Sequence, residues 1–168
     1  ALGSELALSW MLRDLGKEAV IYNQDATPGH YRFLPGAETI VSELDHLERY
    51  DVGFILDCSE LERVGKIAAD VMKIKTLINI DHHITNLHFG DINLVSVEAA
   101  STAEVVLALL DAMHLPVDVG TANCLLTGIL TDTRGLRTSN VTIEVVESAL
   151  RLMKTGASLT TIIQNTLE

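Results

Sequence analysis

Two short, largely apolar runs, Val52 to Leu56 and Thr76 to Ile80, each stop abruptly at an aspartate, Asp57 and Asp81. Such runs read as buried strands that end on a polar residue at their carboxyl tips. The segment between them, Glu62 to Met72, has helical spacing. A strand, a helix and a second strand in that order imply a parallel pair with a crossover.

The rest of the chain repeats the alternation. Leu6, Ala7, Trp10, Met11 and Leu15 space a helix over Ser4 to Leu15, with Gly16 as its stop. Ala19 to Tyr22 reads as a short strand, Pro28 to Gly36 as a loop, and Glu38 to Leu47 as a helix. Phe89 to Val97 holds a further strand. Ser101 to Met113 reads as a buried helix capped by Ser101 or Thr102, with Glu104 in its first turn. Helices over Val117 to Leu130, Ile143 to Lys154 and Leu159 to Leu167 follow. The expected architecture is α/β: a doubly wound, mainly parallel sheet with helices on both faces. Residues 1 to 168 form one domain, with no internal linker or repeat.

Nearly half of the 168 residues are apolar (48%), enough for a real core, and few are aromatic. No apolar run reaches membrane-spanning length and no signal segment opens the chain, so no membrane partner is expected. Cys58 and Cys124 are too few and too far apart for a disulfide framework and read as free thiols, which suits the cytoplasm. The net charge of −11 argues against long nucleic acid, which needs a basic stripe. A small nucleotide remains a suitable partner, because bound cations can supply positive charge locally.

Ligands of open α/β sheets bind beyond the carboxyl ends of the strands. Asp57 lies at one such end and Asp81-His82-His83 at another; Asp132, within Thr131-Asp132-Thr133, ends a buried helix. Carboxylates and imidazoles suit a borderline-hard divalent ion such as Mn²⁺. Two ions roughly 3.5–4 Å apart can activate water and clamp a phosphoryl group for in-line attack. Each residue also has a plainer reading. Asp57 can cap a helix and Asp132 can sit in a turn. Neighbouring histidines on a strand point to opposite sides.

Taken together, Ala1-Leu2-Gly3-Ser4, Leu56-Asp57-Cys58, Asp81-His82-His83 and Thr131-Asp132-Thr133 resemble, in order, the motifs of the DHH phosphoesterases. Tyr31-Arg32-Phe33-Leu34-Pro35, Asn79-Ile80, Thr85-Asn86 and Ser101-Thr102-Ala103-Glu104 extend the likeness to the oligoribonuclease and phosphoadenosine phosphate phosphatase (NrnA-like) branch. The resemblance implies that Asp57 bridges two metal ions, Mn²⁺ first with Mg²⁺ or Co²⁺ as alternatives. It implies His82 and Asp132 as ligands of the second ion. His83 would meet the phosphate and Asp81 would orient the histidines, both as members of the catalytic group. Arg63, Arg134 and Arg137 are further phosphate candidates. Leu136 stands where the family usually has Phe.

The family's first motif reads approximately His-x-x-x-Asp-x-Asp ahead of the segment matched by Ala1 to Ser4, and a second, substrate-binding domain follows the catalytic one. Neither occurs here, so the resemblance implies a catalytic domain cut from a longer protein and inactive or nearly so by itself. The implied activity is metal-dependent hydrolysis of short oligoribonucleotides, linear dinucleotides or 3′,5′-bisphosphorylated adenosine; the family also implies a possible homodimer. Alternatives within the superfamily are a family II pyrophosphatase-like or RecJ-like hydrolase. Outside it stand a non-catalytic nucleotide-sensing module and a plain nucleotide-binding α/β protein.

Overall fold

The computed structural model describes residues 1–168. Its centre is a three-stranded parallel sheet in the order β1 (Val52–Leu56), β2 (Thr76–Asp81), β3 (Ile92–Val95). Val52 pairs with Thr76 and Leu56 with Ile80; Ile78 pairs with Ile92 and Asp81 with Val95. All three carboxyl ends therefore lie on one edge of the molecule. Strand alternation sends Phe54, Leu56, Ile78 and Ile80 to one face, and Ile55 and Leu77 to the other.

The first face carries the main core, built with α1 (Leu2–Asp14), α3 (Thr102–Ala112) and α4 (Val119–Asp132). The middle of α4 is apolar nearly all round, and Ala122, Cys124, Leu125, Leu126 and Ile129 have no solvent exposure. Gly3 and Gly128 let α1, α3 and α4 approach closely: a Cβ on Gly128 would lie 2.7 Å from that of Ala103. Helices α5 (Ile143–Thr155) and α6 (Leu159–Thr166) close the far side, with Thr142 and Ser158 as N-caps and left-handed Gly156 ending α5. A smaller core of Leu47, Ile55, Ile67, Val71 and Leu77 covers the opposite face, beside the single turn α2 (Ala68–Val71). The sheet is thus sandwiched, as the strand pattern predicts. No helix is long and apolar enough to cross a membrane.

Three sequence expectations need correction. Ala19 to Tyr22 is not a strand: only Tyr22 bridges, in parallel, to Val41. Glu38 to Leu47 is not a helix. The β-branched Thr39-Ile40-Val41 leaves a short 3₁₀ turn (Ala37–Thr39) for extended backbone, where Val41 exchanges hydrogen bonds with Ile21 and Asn23. Glu62 to Met72 is broken by Gly65, whose φ of 95° no helix accommodates, into a 3₁₀ turn (Leu61–Val64) and α2. Gln24 docks over that glycine and accepts the Lys66 amide at 2.7 Å.

Candidate metal centre

The site forms where β1 and β2 end and α4 stops. Asp57 follows β1 with a φ of 59°, a left-handed conformation that Asp tolerates better than most residues. Its amide donates to the Ile80 carbonyl at 2.9 Å, so the chain turns while still tied to β2. The Asp57 carboxylate accepts from the Thr102 hydroxyl at 2.9 Å and lies 2.9 Å from the Ala1 nitrogen. Burial alone would raise its pKa. The contacts with His82, the Ala1 nitrogen and Thr102 outweigh that and hold it well below the usual carboxylate range.

His82 points to the face that carries α3 and α4, and Asp81 to the other. His82 Nδ1 lies 3.2 Å from the Ala99 carbonyl, to which it donates. This leaves Nε2 as the free nitrogen, the arrangement in which imidazole can ligate a metal. Nε2 lies 3.0 Å from Asp132 Oδ2 and 3.5 Å from Asp57 Oδ1. Neither contact has hydrogen-bond geometry, so this buried nitrogen has no hydrogen-bond partner. Burial disfavours a charged His82, but Asp132 and then Asp57 prevail and push the ring up to about 10. A proton there stands where a cation would neutralise two carboxylates.

Asp132 is the last residue of α4. A carboxylate at a helix C-terminus opposes the helix dipole, at a cost of about 0.3–1 kcal/mol, unless a cation sits beside it. The loop beyond is strained: Arg134, Gly135 and Leu136 have φ values of 51°, 74° and 65°. Fully buried Thr133 holds it, donating to the Ile129 carbonyl at 2.7 Å and accepting the Leu136 amide at 3.0 Å.

His83 is more open, 42% exposed, and its Nδ1 lies 2.7 Å from Asp81 Oδ1. Ligand atoms from Asp57, Asp81, His82 and His83 all fall within 4.8 Å of one another. Atoms bound about 2.1 Å from one ion sit about 3 Å apart at right angles, close to the His82–Asp132 and His82–Asp57 separations. The donor chemistry and the orphaned Nε2 both fit a divalent cation.

Sequence reasoning thus named five residues that the fold brings together: Asp57, Asp81, His82, His83 and Asp132. The three arginines are exposed and make no ion pair; Arg137 Nε donates to the Arg134 carbonyl at 2.7 Å. Arg134 and Arg137 lie on the loop that begins just after Asp132, and Arg63 on the 3₁₀ turn after β1. Sequence reasoning read Ser101 or Thr102 as a helix cap with Glu104 in the first turn, but gave those residues, Asn79, Asn86 and Thr133 no role at the site. Ser101 Oγ accepts the Glu104 amide at 3.3 Å and Glu104 accepts the Ala100 amide at 2.7 Å, a capping box that anchors the Ala99 carbonyl under His82. The signal for Asn79 was its place inside an apolar strand, because a buried amide must find partners. Cys58 and Cys124 are free, and burial pushes their thiols up to about 11 and about 12.

A family model described as "DHH family, N-terminal domain" matches residues 1–129. The chain is 37% identical over 159 residues to a protein of Thermus thermophilus described as a bifunctional oligoribonuclease and PAP phosphatase NrnA. That alignment covers 95% of this chain and 47% of the Thermus protein, so the chain spans about half the length of this relative. A solved structure, an exopolyphosphatase-related protein from Bacteroides fragilis, superposes with a TM-score of 0.89 at 26% identity, over 99% of this chain and 52% of that one.

Proposed function

This chain belongs to the DHH family, and from that premise we propose that it is the catalytic domain of a two-metal phosphoesterase acting on short oligoribonucleotides, linear dinucleotides or 3′,5′-bisphosphorylated adenosine. The observation that carries the proposal is the cluster at the strand tips, with a buried imidazole nitrogen lacking any hydrogen-bond partner between two carboxylates. The substrate class rests on the Thermus relative's description.

In this reading Asp57, His82 and Asp132 would hold a divalent ion, with Mn²⁺ preferred, and Asp57 would be shared with a second. When bound, such an ion pair supplies Lewis acidity and an activated water. The chain's own residues do the rest. Thr102 and the Ile80 carbonyl fix Asp57. The Ala99 carbonyl fixes the ring of His82. His83, oriented by Asp81, presents Nε2 to the phosphoryl oxygens and steadies the charge that develops there. Arg63, Arg134 and Arg137 are exposed and free to meet outer phosphates. Two free thiols suit a reducing compartment such as the cytoplasm.

The test is turnover by the intact protein with Mn²⁺ of a 5′-phosphorylated RNA dinucleotide and of 3′,5′-bisphosphorylated adenosine, beside Asp57→Ala and His82→Ala. Turnover abolished in both variants is expected. A folded, metal-loaded protein that cleaves neither substrate, but does cleave pyrophosphate or polyphosphate, would overturn the substrate assignment.

A further inference from the structure

The strand fixes where Asp57 begins, but not how its carboxylate turns. Its amide is tied to the Ile80 carbonyl, whereas the last torsion of an aspartate has only broad minima and follows its neighbours. One side chain hydrogen-bonds the carboxylate: the Thr102 hydroxyl, 2.9 Å from Oδ1 and 45 residues away in sequence. A carboxylate that binds a cation is ionised and can only accept, so Thr102 is the donor whichever nearby groups hold protons. The bond uses one lone pair of Oδ1 and leaves the other for the side on which His82 Nε2 lies 3.5 Å away. Oδ2 takes no side-chain donor and faces the first residue of α1, 2.9 Å from the Ala1 nitrogen.

Thr102 is itself held with little freedom. It opens α3 and is 2% exposed. Its branched Cβ restricts the first side-chain torsion. Ser101 before it is the N-cap, and Glu104 after it reaches back to the Ala100 amide at 2.7 Å. The Ala99 carbonyl of the same segment holds His82 Nδ1 at 3.2 Å. Residues 99–104 therefore reach two proposed ligands of one ion, the imidazole through Ala99 and the carboxylate through Thr102.

We propose that Thr102 is a positioning residue that sets the plane of the Asp57 carboxylate, so that Oδ1 serves the ion of His82 and Asp132 and Oδ2 is kept for a second ion. The division between two ions rests on the two-metal reading; the hold on Asp57 does not. Without the hydroxyl, the carboxylate can turn and give both oxygens to one ion at the expense of the other. Thr102 bonds neither His82 nor Asp132, so its effect passes through Asp57.

Calorimetric titration of the intact protein with Mn²⁺, joined to electron paramagnetic resonance of the loaded protein, tests both parts. The native protein should bind two ions whose signal shows exchange coupling through the shared carboxylate. Thr102→Val, which keeps the shape and removes the hydroxyl, should bind the second ion at least about tenfold more weakly and lose the coupled signal. Thr102→Ser, which keeps the donor, should bind within about twofold of the native protein; Thr102→Ala serves if the valine variant does not fold. Without Mn²⁺ the valine variant should melt within about 4 °C of the native protein, which separates lost affinity from lost fold. Asp57→Gly suits the left-handed backbone and removes the carboxylate. In that background Thr102→Val should change Mn²⁺ affinity less than about twofold, because the route is already cut. Unchanged Mn²⁺ binding in a folded Thr102→Val, or an equal loss in Thr102→Ser, would overturn the proposal. A native protein that binds a single Mn²⁺ would sink the two-metal reading. A tenfold loss of that one ion in Thr102→Val would still show that the hydroxyl orients Asp57, and no loss would remove Thr102 from the site.

Discussion

Asp57 combines two demands that ordinary residues meet badly together: a φ of 59° and a charge held at a strand tip. Left-handed backbone costs most residues roughly 1–2 kcal/mol, and Asn and Asp least. Asp57→Asn therefore separates backbone from charge. It should melt within about 4 °C of the native protein, yet bind Mn²⁺ at least about tenfold more weakly by calorimetry. Unchanged Mn²⁺ affinity would remove Asp57 from the ligand set. The cysteines test burial instead. Thiols pushed up to about 11 and about 12 carry almost no thiolate at pH 8, so alkylation of Cys58 and Cys124 should be slow in the native protein and fast in urea. Rapid native modification of Cys58 would show that its thiol is neither buried nor held up.

At the scale of elements, α4 decides where the site can be. It is buried along its middle, packs closely on α1 and α3, and delivers Asp132 at its end. A glycine inside an exposed helix usually gains up to about 1 kcal/mol on change to alanine. Gly128→Ala should do the opposite, because the new Cβ meets that of Ala103 at 2.7 Å and overpacking costs about 1–3 kcal/mol. A raised melting temperature in this variant would show that the helices can part without loss. The capping box of α3 acts at a distance from the ions. Ser101→Ala should lower stability by about 1 kcal/mol in urea titration and also weaken Mn²⁺ binding, since it loosens the segment whose Ala99 carbonyl holds His82. Loss of stability with Mn²⁺ affinity intact would confine the box to the helix end.

At the scale of the whole molecule, a net charge of −11 and the cluster of carboxylates and imidazoles at the strand tips both favour a bound cation. Mn²⁺ should raise the melting temperature by mass action, and chelation should reverse the shift; a flat response in the native protein would argue against a resident ion. The sequence by itself determined the parallel α/β plan and the residues at the strand tips, because apolar runs that stop at Asp57 and Asp81 obey local rules of burial and alternation. It also determined α3 to α6 to within two residues at each end, since caps and helical spacing are local. It misread the segments around Tyr22, Ile40 and Gly65, whose conformations depend on partners far along the chain: Val41 for Tyr22, and Gln24 for Gly65. Only the tertiary structure decided that His82 leans on Ala99 while His83 leans on Asp81, and that Asn86 closes the chain of hydrogen bonds behind them. Those choices come from the meeting of β1, β2, α3 and α4, where the direction of a single buried donor is set by acceptors that no local pattern of residues can encode.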